Sequence, residues 1–281
     1  IKLDKSSITS SLIKSLAGIS PIVLSGNGGV GKTAVIKDLY NLIKSTTPFF
    51  LFKATEFNNI SNTNELVRQY GDFTFLDFVT AYNDTQEKCI VIDSAEKLSD
   101  LDDQTVFQEF LRLLIDNSWK IIFTTRRSYL DDLKYLLIGI YRVAFTSIDM
   151  TNISLNELDE LAKKFSLTLP SDEHTKELIC NPFYLNEYIQ NQTGVNKDVS
   201  ATDLKEVLWN KQIAKTFQRR NNMHIRRAEA FVEVAKRRAE QGSFLVKSNG
   251  IDADALGELA NDEIVGYDSK LLGYFIAHDI Y

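Results

Sequence analysis

Short apolar runs alternate with segments of helical periodicity over the first half of the chain. The runs are Ile22-Val23-Leu24-Ser25, Phe49-Phe50-Leu51-Phe52, Cys89-Ile90-Val91-Ile92, Lys120-Ile121-Ile122-Phe123-Thr124 and Tyr141-Arg142-Val143-Ala144-Phe145. Each is the length of a strand, and several are rich in β-branched residues. Between them, residues 33–44 place Val35, Ile36, Leu39, Tyr40 and Ile43 on one face of a helix. Residues 65–79 read as mostly helical and 105–116 as a helix. Short, nearly continuous apolar strands separated by helices predict a parallel sheet covered on both faces. Pro21 and Pro48 open strands, and Pro170 and Pro182 flank a helical pattern.

Beyond about residue 150 the pattern turns helical. Segments 155–165, 172–180 and 182–190 predict short helices. Residues 203–218 predict a longer one, with Leu204, Val207, Leu208 and Phe217 on one stripe. Helices over 225–241 and 252–260 follow. Short strands are expected at 244–246, 263–267 and 272–276, the last two around the turn Asp268-Ser269-Lys270. Helix, helix and hairpin predict a winged helix at the end of the chain.

Composition narrows the class. The 281 residues are 44% hydrophobic, enough for more than one domain, and the net charge of −6 argues against bulk attraction to nucleic acid or anionic membrane. Two cysteines, Cys89 and Cys180, sit in apolar contexts and fit a cytoplasmic protein without a disulfide framework. No apolar run reaches membrane-spanning length, and no signal peptide is legible. The chain starts on Ile1, and 275–281 ends within an apolar pattern, so a piece of a longer protein is expected.

The strongest chemical signal follows the first apolar run. Gly26, Asn27, Gly28, Gly29, Val30, Gly31, Lys32 and Thr33 fit G-x-x-x-x-G-K-[ST], and with Ala34 they form the expected phosphate-binding set. Glycines let successive amides converge on phosphate oxygens, and the helix that follows aims its N-terminus at the same anion. Lys32 is expected at the β- and γ-phosphates, and the Thr33 hydroxyl on Mg²⁺. The motif resembles that of P-loop NTPases, and the resemblance implies a parallel sheet of order 5-1-4-3-2.

A carboxylate at a neighbouring strand end completes such a site. Asp93 closes the Ile90-Val91-Ile92 run and is expected to hold Mg²⁺. Glu96 is a candidate general base, with a solvated helix-cap carboxylate as the other reading. The fourth strand ends Phe123-Thr124-Thr125-Arg126-Arg127, where a hydroxyl and Arg126 would distinguish triphosphate from diphosphate. Arg127 reads as a surface charge.

Taken in order, the P-loop, the D-x-x-E strand end, the "FTTR" strand end, "NPFYL" and the terminal "AHDIY" resemble the STAND class of signal-transduction ATPases, the NACHT- and NB-ARC-like regulators. The resemblance implies a nucleotide-binding domain over 1–148, a helical lid over 149–203 and a winged helix over 204–281. It implies that Pro182 packs on adenine and that His278, beside Asp279, contacts the β-phosphate of bound ADP. Cys180-Asn181 replaces the usual glycine of the lid motif, Ala277 replaces the common methionine, and main-chain groups near 1–3 are expected to meet the base. ADP would hold such a unit closed. ATP exchange on sensing a ligand would open it to homo-oligomerise and control an attached effector in defence or signalling, with slow hydrolysis for reset.

Two other functions compete. Residues 211–238 carry nine basic residues (Lys211, Lys215, Arg219, Arg220, Arg226, Arg227, Lys236, Arg237 and Arg238) against Glu229 and Glu233. A basic winged helix binds duplex DNA; the favoured reading is a solvated basic face that docks on protein. The third possibility is a mechanical AAA-type ATPase with steady turnover.

Overall fold

A computed structural model of the chain describes residues 3–58, 60–101, 103–192, 200–217, 220–243, 245–268 and 272–277. The chain divides into two units, Ile1–Asn152 and Ile153–Tyr281. No described helix is long and apolar enough to cross a membrane.

The first unit runs α1 (Ser6–Leu16), β1 (Ile22–Gly26), α2 (Lys32–Ile43), β2 (Phe49–Lys53), α3 (Phe75–Thr80), β3 (Cys89–Asp93), α4 (Thr105–Asp116), β4 (Lys120–Arg126), α5 (Leu130–Lys134) and β5 (Thr146–Met150). All pairings in its sheet are parallel, and the order is β5-β1-β4-β3-β2. Alternate residues of each strand enter opposite cores. Val23, Ile90, Ile92, Ile121 and Phe123 pack with Phe75, Phe107, Phe110, Leu114 and Leu133, so α3, α4 and α5 cover one face. Ile22, Leu24, Cys89, Val91 and Ile122 pack with Leu12, Val35, Ile36 and Leu39, so α1 and α2 cover the other. Burial lifts the Cys89 thiol to about 12, which leaves it an inert apolar group.

The expected order of strand positions holds, but a different segment fills the fifth. Residues 141–145 are not a strand. The amides of Tyr141 and Val143 bond to the carbonyls of Leu136 and Leu137, ending a wide π-type turn, Tyr135–Ile140, that continues α5. Tyr141 is buried against Phe107, with ring centroids 5.5 Å apart. The strand is Thr146–Met150, mostly exposed because it pairs on one side only. An edge strand facing water has no need of a continuous apolar run, which is why its pattern was silent.

Residues 65–79 also depart from the expected helix. Short 3₁₀ turns, Thr63–Leu66 and Arg68–Tyr70, stop at Gly71, and only Phe75–Thr80 is α-helical, capped by Thr74 and Asp77. Helix α1 carries no strong cap and only Thr9 and Leu12 are buried on it, so it escaped the periodicity.

The second unit contains α6 (Leu155–Phe165), α7 (Glu173–Ile179), α8 (Pro182–Gln192), α9 (Ala201–Leu208), α10 (Met223–Gln241), α11 (Ala253–Asn261), β6 (Val265–Asp268) and β7 (Gly273–Ile276). Its helix starts are written in side chains: Ser154 with Glu157, Asp172 with Thr175, Ser200 with Asp203, and Asp252 with the Ala255 amide. Strands β6 and β7 form an antiparallel hairpin, and Val246 adds a single bridge to Tyr274. One core joins Ile213, Phe231, Val234, Val246, Leu256, Leu259, Val265 and Ile276. The predicted helix over 203–218 breaks early. After α9 it widens into a π-type turn, Trp209–Ile213, and Lys215 takes a left-handed φ of 51°. Phe217 therefore leaves the expected stripe and is 70% exposed.

Candidate functional site

Strands β1, β3 and β4 end at Gly26, Asp93 and Arg126, so parallel pairing brings their carboxyl ends to one edge of the sheet. The register sets Gly26 opposite both Arg126 and Met150. A Cβ on Gly26 would lie 2.7 Å from the Met150 carbonyl oxygen and 3.2 Å from Val30 Cγ2. The loop can leave the sheet here only without a side chain. Val30 is buried and pins the loop from below, while Gly31, at φ 97°, turns the chain into α2.

Lys32 opens α2, and its Nζ donates to the carbonyls of Gly26 at 2.7 Å and Asn27 at 3.1 Å. The ammonium thus lies across the mouth of the loop. Asn27, Thr33 and Ala34 are exposed, and Gly28 and Gly29 are half-buried.

Asp93 is held by β4. Thr124 Oγ1 donates to Asp93 Oδ1 at 2.5 Å and accepts the Ser94 amide at 3.1 Å. Ser94 has φ 57°, a left-handed turn that redirects the chain into the 3₁₀ segment Ala95–Asp100. That segment carries Glu96, which is 7% exposed and therefore no solvated cap. Its Oε1 lies 3.2 Å from Arg126 Nε, and its Oε2 is buried without a hydrogen-bond partner.

Arg127 is exposed as expected, with Nη2 3.4 Å from Asp149 Oδ2. Asp149 Oδ1 accepts the hydroxyl of the fully buried Ser25 at 2.9 Å. Sequence reasoning missed the Ser25–Asp149 pair. Of the two strand-end hydroxyls it considered, that of Thr124 is bonded to Asp93.

Pro182 lies in the second unit as the first residue of α8, where its missing amide costs no helical bond. Asn181 Oδ1 caps that turn by accepting the Phe183 amide at 3.0 Å. His278 and Asp279 lie outside the described residues, as do Ile1 and Lys2.

Among the described residues of the basic stretch 211–238, at least five of the nine basic side chains are engaged by acids. Lys211 meets Glu187 at 3.0 Å and Lys215 meets Asp262 at 2.5 Å. Arg226 meets Asp252 at 2.5 Å and Asp254 at 2.9 Å, and Arg237 meets Glu233 at 2.7 Å. Arg227 is completely buried, 2.8 Å from Asp262. Arg219 lies outside the described residues. The acidic partners Asp252, Asp254 and Asp262 lie beyond residue 238, so a charge count within the window could not see them.

The whole chain is similar to two solved structures. A Walker-type ATPase of Pyrococcus abyssi matches with a TM-score of 0.54 at 16% identity, over 99% of this chain and 94% of that one. The ORC1 protein of Aeropyrum pernix, solved in complex with DNA, matches with a TM-score of 0.51 at 11% identity, over 99% and 90%. At these identities the likeness is one of fold, and the chain has the fold of P-loop ATPases. No protein-family model matches the sequence, and no curated protein matches it.

Proposed function

We propose that this chain binds an adenine nucleotide with Mg²⁺ at residues 26–34 and works as a nucleotide-dependent switch with slow ATPase activity. The observation that carries the reading is the convergence on one sheet edge of a glycine loop crossed by Lys32, a strand-end Asp93 and Arg126. Backbone amides and one ammonium make a polyphosphate site. The residues fit a magnesium ion, because Thr33 is exposed on the first turn of α2 and Thr124 holds Asp93 by one carboxylate oxygen. Among the described residues no three His, Cys, Asp or Glu are grouped so as to hold a metal ion by themselves. A nucleotide-borne magnesium needs no such cage, since phosphates and waters fill most of its shell. When bound, the ion would neutralise charge on the phosphates.

The switch reading rests on Glu96, which is engaged by Arg126 instead of standing free to take a proton. In the STAND form of this proposal 1–148, 149–203 and 204–281 serve as nucleotide-binding domain, lid and winged helix. Pro182 and His278 then take the adenine and β-phosphate roles, and oligomerisation drives an effector. A steadily turning AAA-type ATPase is the alternative, supported by the likeness of fold. High basal turnover favours that alternative, and tightly retained ADP favours the switch. DNA binding draws on the ORC1 neighbour, but the internal pairing of Lys211, Lys215, Arg226, Arg227 and Arg237 speaks against it.

Titration calorimetry of the chain with ATP and ADP in Mg²⁺ tests the reading. The parent should bind both. Lys32→Ala should weaken both by at least about tenfold, the loss of one charge-assisted contact. Equal binding by parent and variant removes the P-loop from the function.

A further inference from the structure

We propose that Arg126 has two mutually exclusive partners, Glu96 and the terminal phosphate of a bound nucleoside triphosphate, so that Glu96 sets the selectivity for triphosphate over diphosphate. This rests on the nucleotide reading above.

The pair joins two segments that end at the same edge. Arg126 is the last residue of β4, opposite Gly26 at the start of the glycine loop. Glu96 stands three residues beyond the end of β3. Both side chains are largely withdrawn from water, at 13% and 5% exposure, so their attraction is little screened. The contact is nevertheless incomplete on the acid side. Glu96 offers Oε1 to Arg126 Nε at 3.2 Å, and its second oxygen is buried with no donor. A carboxylate that uses one oxygen is a weak competitor for a guanidinium. A terminal phosphate carries more charge and presents several acceptor oxygens.

The consequence is an exchange of partners that depends on the third phosphate. A diphosphate lacks those oxygens and leaves the Glu96–Arg126 pair standing. A triphosphate must displace Glu96 from Arg126, and that displacement costs part of its binding free energy. Only then is Glu96 released from its cation. A ligand biases an equilibrium by its differential affinity for the two forms, and here the differential contact is the guanidinium itself.

The test is a set of affinities for Mg²⁺ with ADP and with a non-hydrolysable ATP analogue. The proteins are the parent, Glu96→Gln, Arg126→Gln and the double variant. Glu96→Gln keeps the shape and removes the charge. It should bind the triphosphate analogue about tenfold more tightly and leave ADP unchanged. Arg126→Gln should lose the preference for triphosphate, and adding Glu96→Gln to it should change nothing further. Glu96→Asp, which keeps the charge but draws it back, should move in the direction of Glu96→Gln and serves if the amide variant does not fold. An unchanged triphosphate-to-diphosphate ratio in Glu96→Gln, or the same gain in the Arg126→Gln background, overturns the proposal and leaves the nucleotide site intact. A parent that binds neither nucleotide overturns both.

Discussion

Thr124 and Asp93, on neighbouring strands, share a 2.5 Å hydrogen bond, and the same threonine oxygen receives the Ser94 amide. One hydroxyl therefore fixes both the candidate magnesium carboxylate and the turn that follows it. Thr124→Val keeps the shape and removes both contacts. It leaves a half-buried amide without its acceptor, and the expected stability loss is about 1–3 kcal/mol in urea unfolding. Partners that orient a metal-bound carboxylate typically matter by about 10–100-fold in metal affinity. Thr124→Val should weaken Mg²⁺-dependent nucleotide binding by about tenfold while Mg²⁺-free binding stays near the parent. Thr124→Ser should restore most of it. Equal losses with and without Mg²⁺ would reduce Thr124 to a packing residue.

Gly26 faces the Met150 carbonyl with no room for a methyl group. Gly26→Ala forces either β5 or the glycine loop to move. Overpacking of this kind costs about 1–3 kcal/mol. The loop is the softer element, so nucleotide affinity should fall along with the melting temperature. A variant with parental stability and affinity would mean that β5 yields freely.

Arg227 is the most deeply buried charge described in the second unit. Its Nε donates to the Ile213 carbonyl at 2.8 Å and its Nη2 to the Gln212 carbonyl at 3.0 Å. Nη1 lies 2.8 Å from Asp262 Oδ2, in an ion pair whose angles miss hydrogen-bond alignment. The side chain closes the end of the π-type turn onto α11. Arg227→Ala takes a donor from two carbonyls and removes one of the cations beside Asp262, at a cost of about 3 kcal/mol or more. Arg227→Lys should not rescue it, because one ammonium cannot reproduce a planar fork reaching three acceptors. Chemical denaturation followed by Trp209 fluorescence reads this directly, and a loss under about 1 kcal/mol would show that the cluster is dispensable.

Asp252 caps α11 and takes Arg226 on both oxygens, at 2.5 and 2.8 Å. The guanidinium, followed by the Ala255 amide, lowers its carboxyl from 3.8 to about 2. A carboxyl depressed on folding contributes stability at pH above its unfolded value. That contribution is lost as pH falls from about 4 through about 2. The advantage of the parent over Asp252→Asn should therefore be constant near neutrality and shrink across this window. Urea midpoints between pH 6 and 2 provide the measurement. Since asparagine keeps the cap, a constant gap down to pH 2 would show that the charge of Asp252 is not the source of the difference.

Local signals in the chain were sufficient at several places where a residue acts on its sequence neighbours, though not at the Thr74–Asp77 cap inside 65–79. The strand, glycine loop and helix around Lys32 follow from periodicity and the lack of side chains over 26–31. The helix starts at Ser154 and Asp172 match the expected ones and rest on caps that reach three residues, whereas the helix expected from 203 starts earlier, at the Ser200 cap. The apolar runs of β1, β3 and β4 reveal themselves because both faces are buried; β2 carries such a run although it is an edge strand, and β5, mostly exposed, carries none.

What only the tertiary structure decided involves partners far apart along the chain. Gly26 needs its bareness for Met150, on a strand far along the chain. Thr124 turns to Asp93, Arg126 to Glu96, and the basic residues after 211 to acids on and around α11. A charge or hydroxyl has no fixed meaning until a second group comes within hydrogen-bond reach. That meeting is set by strand register and by packing between helices, neither of which is written at any single position.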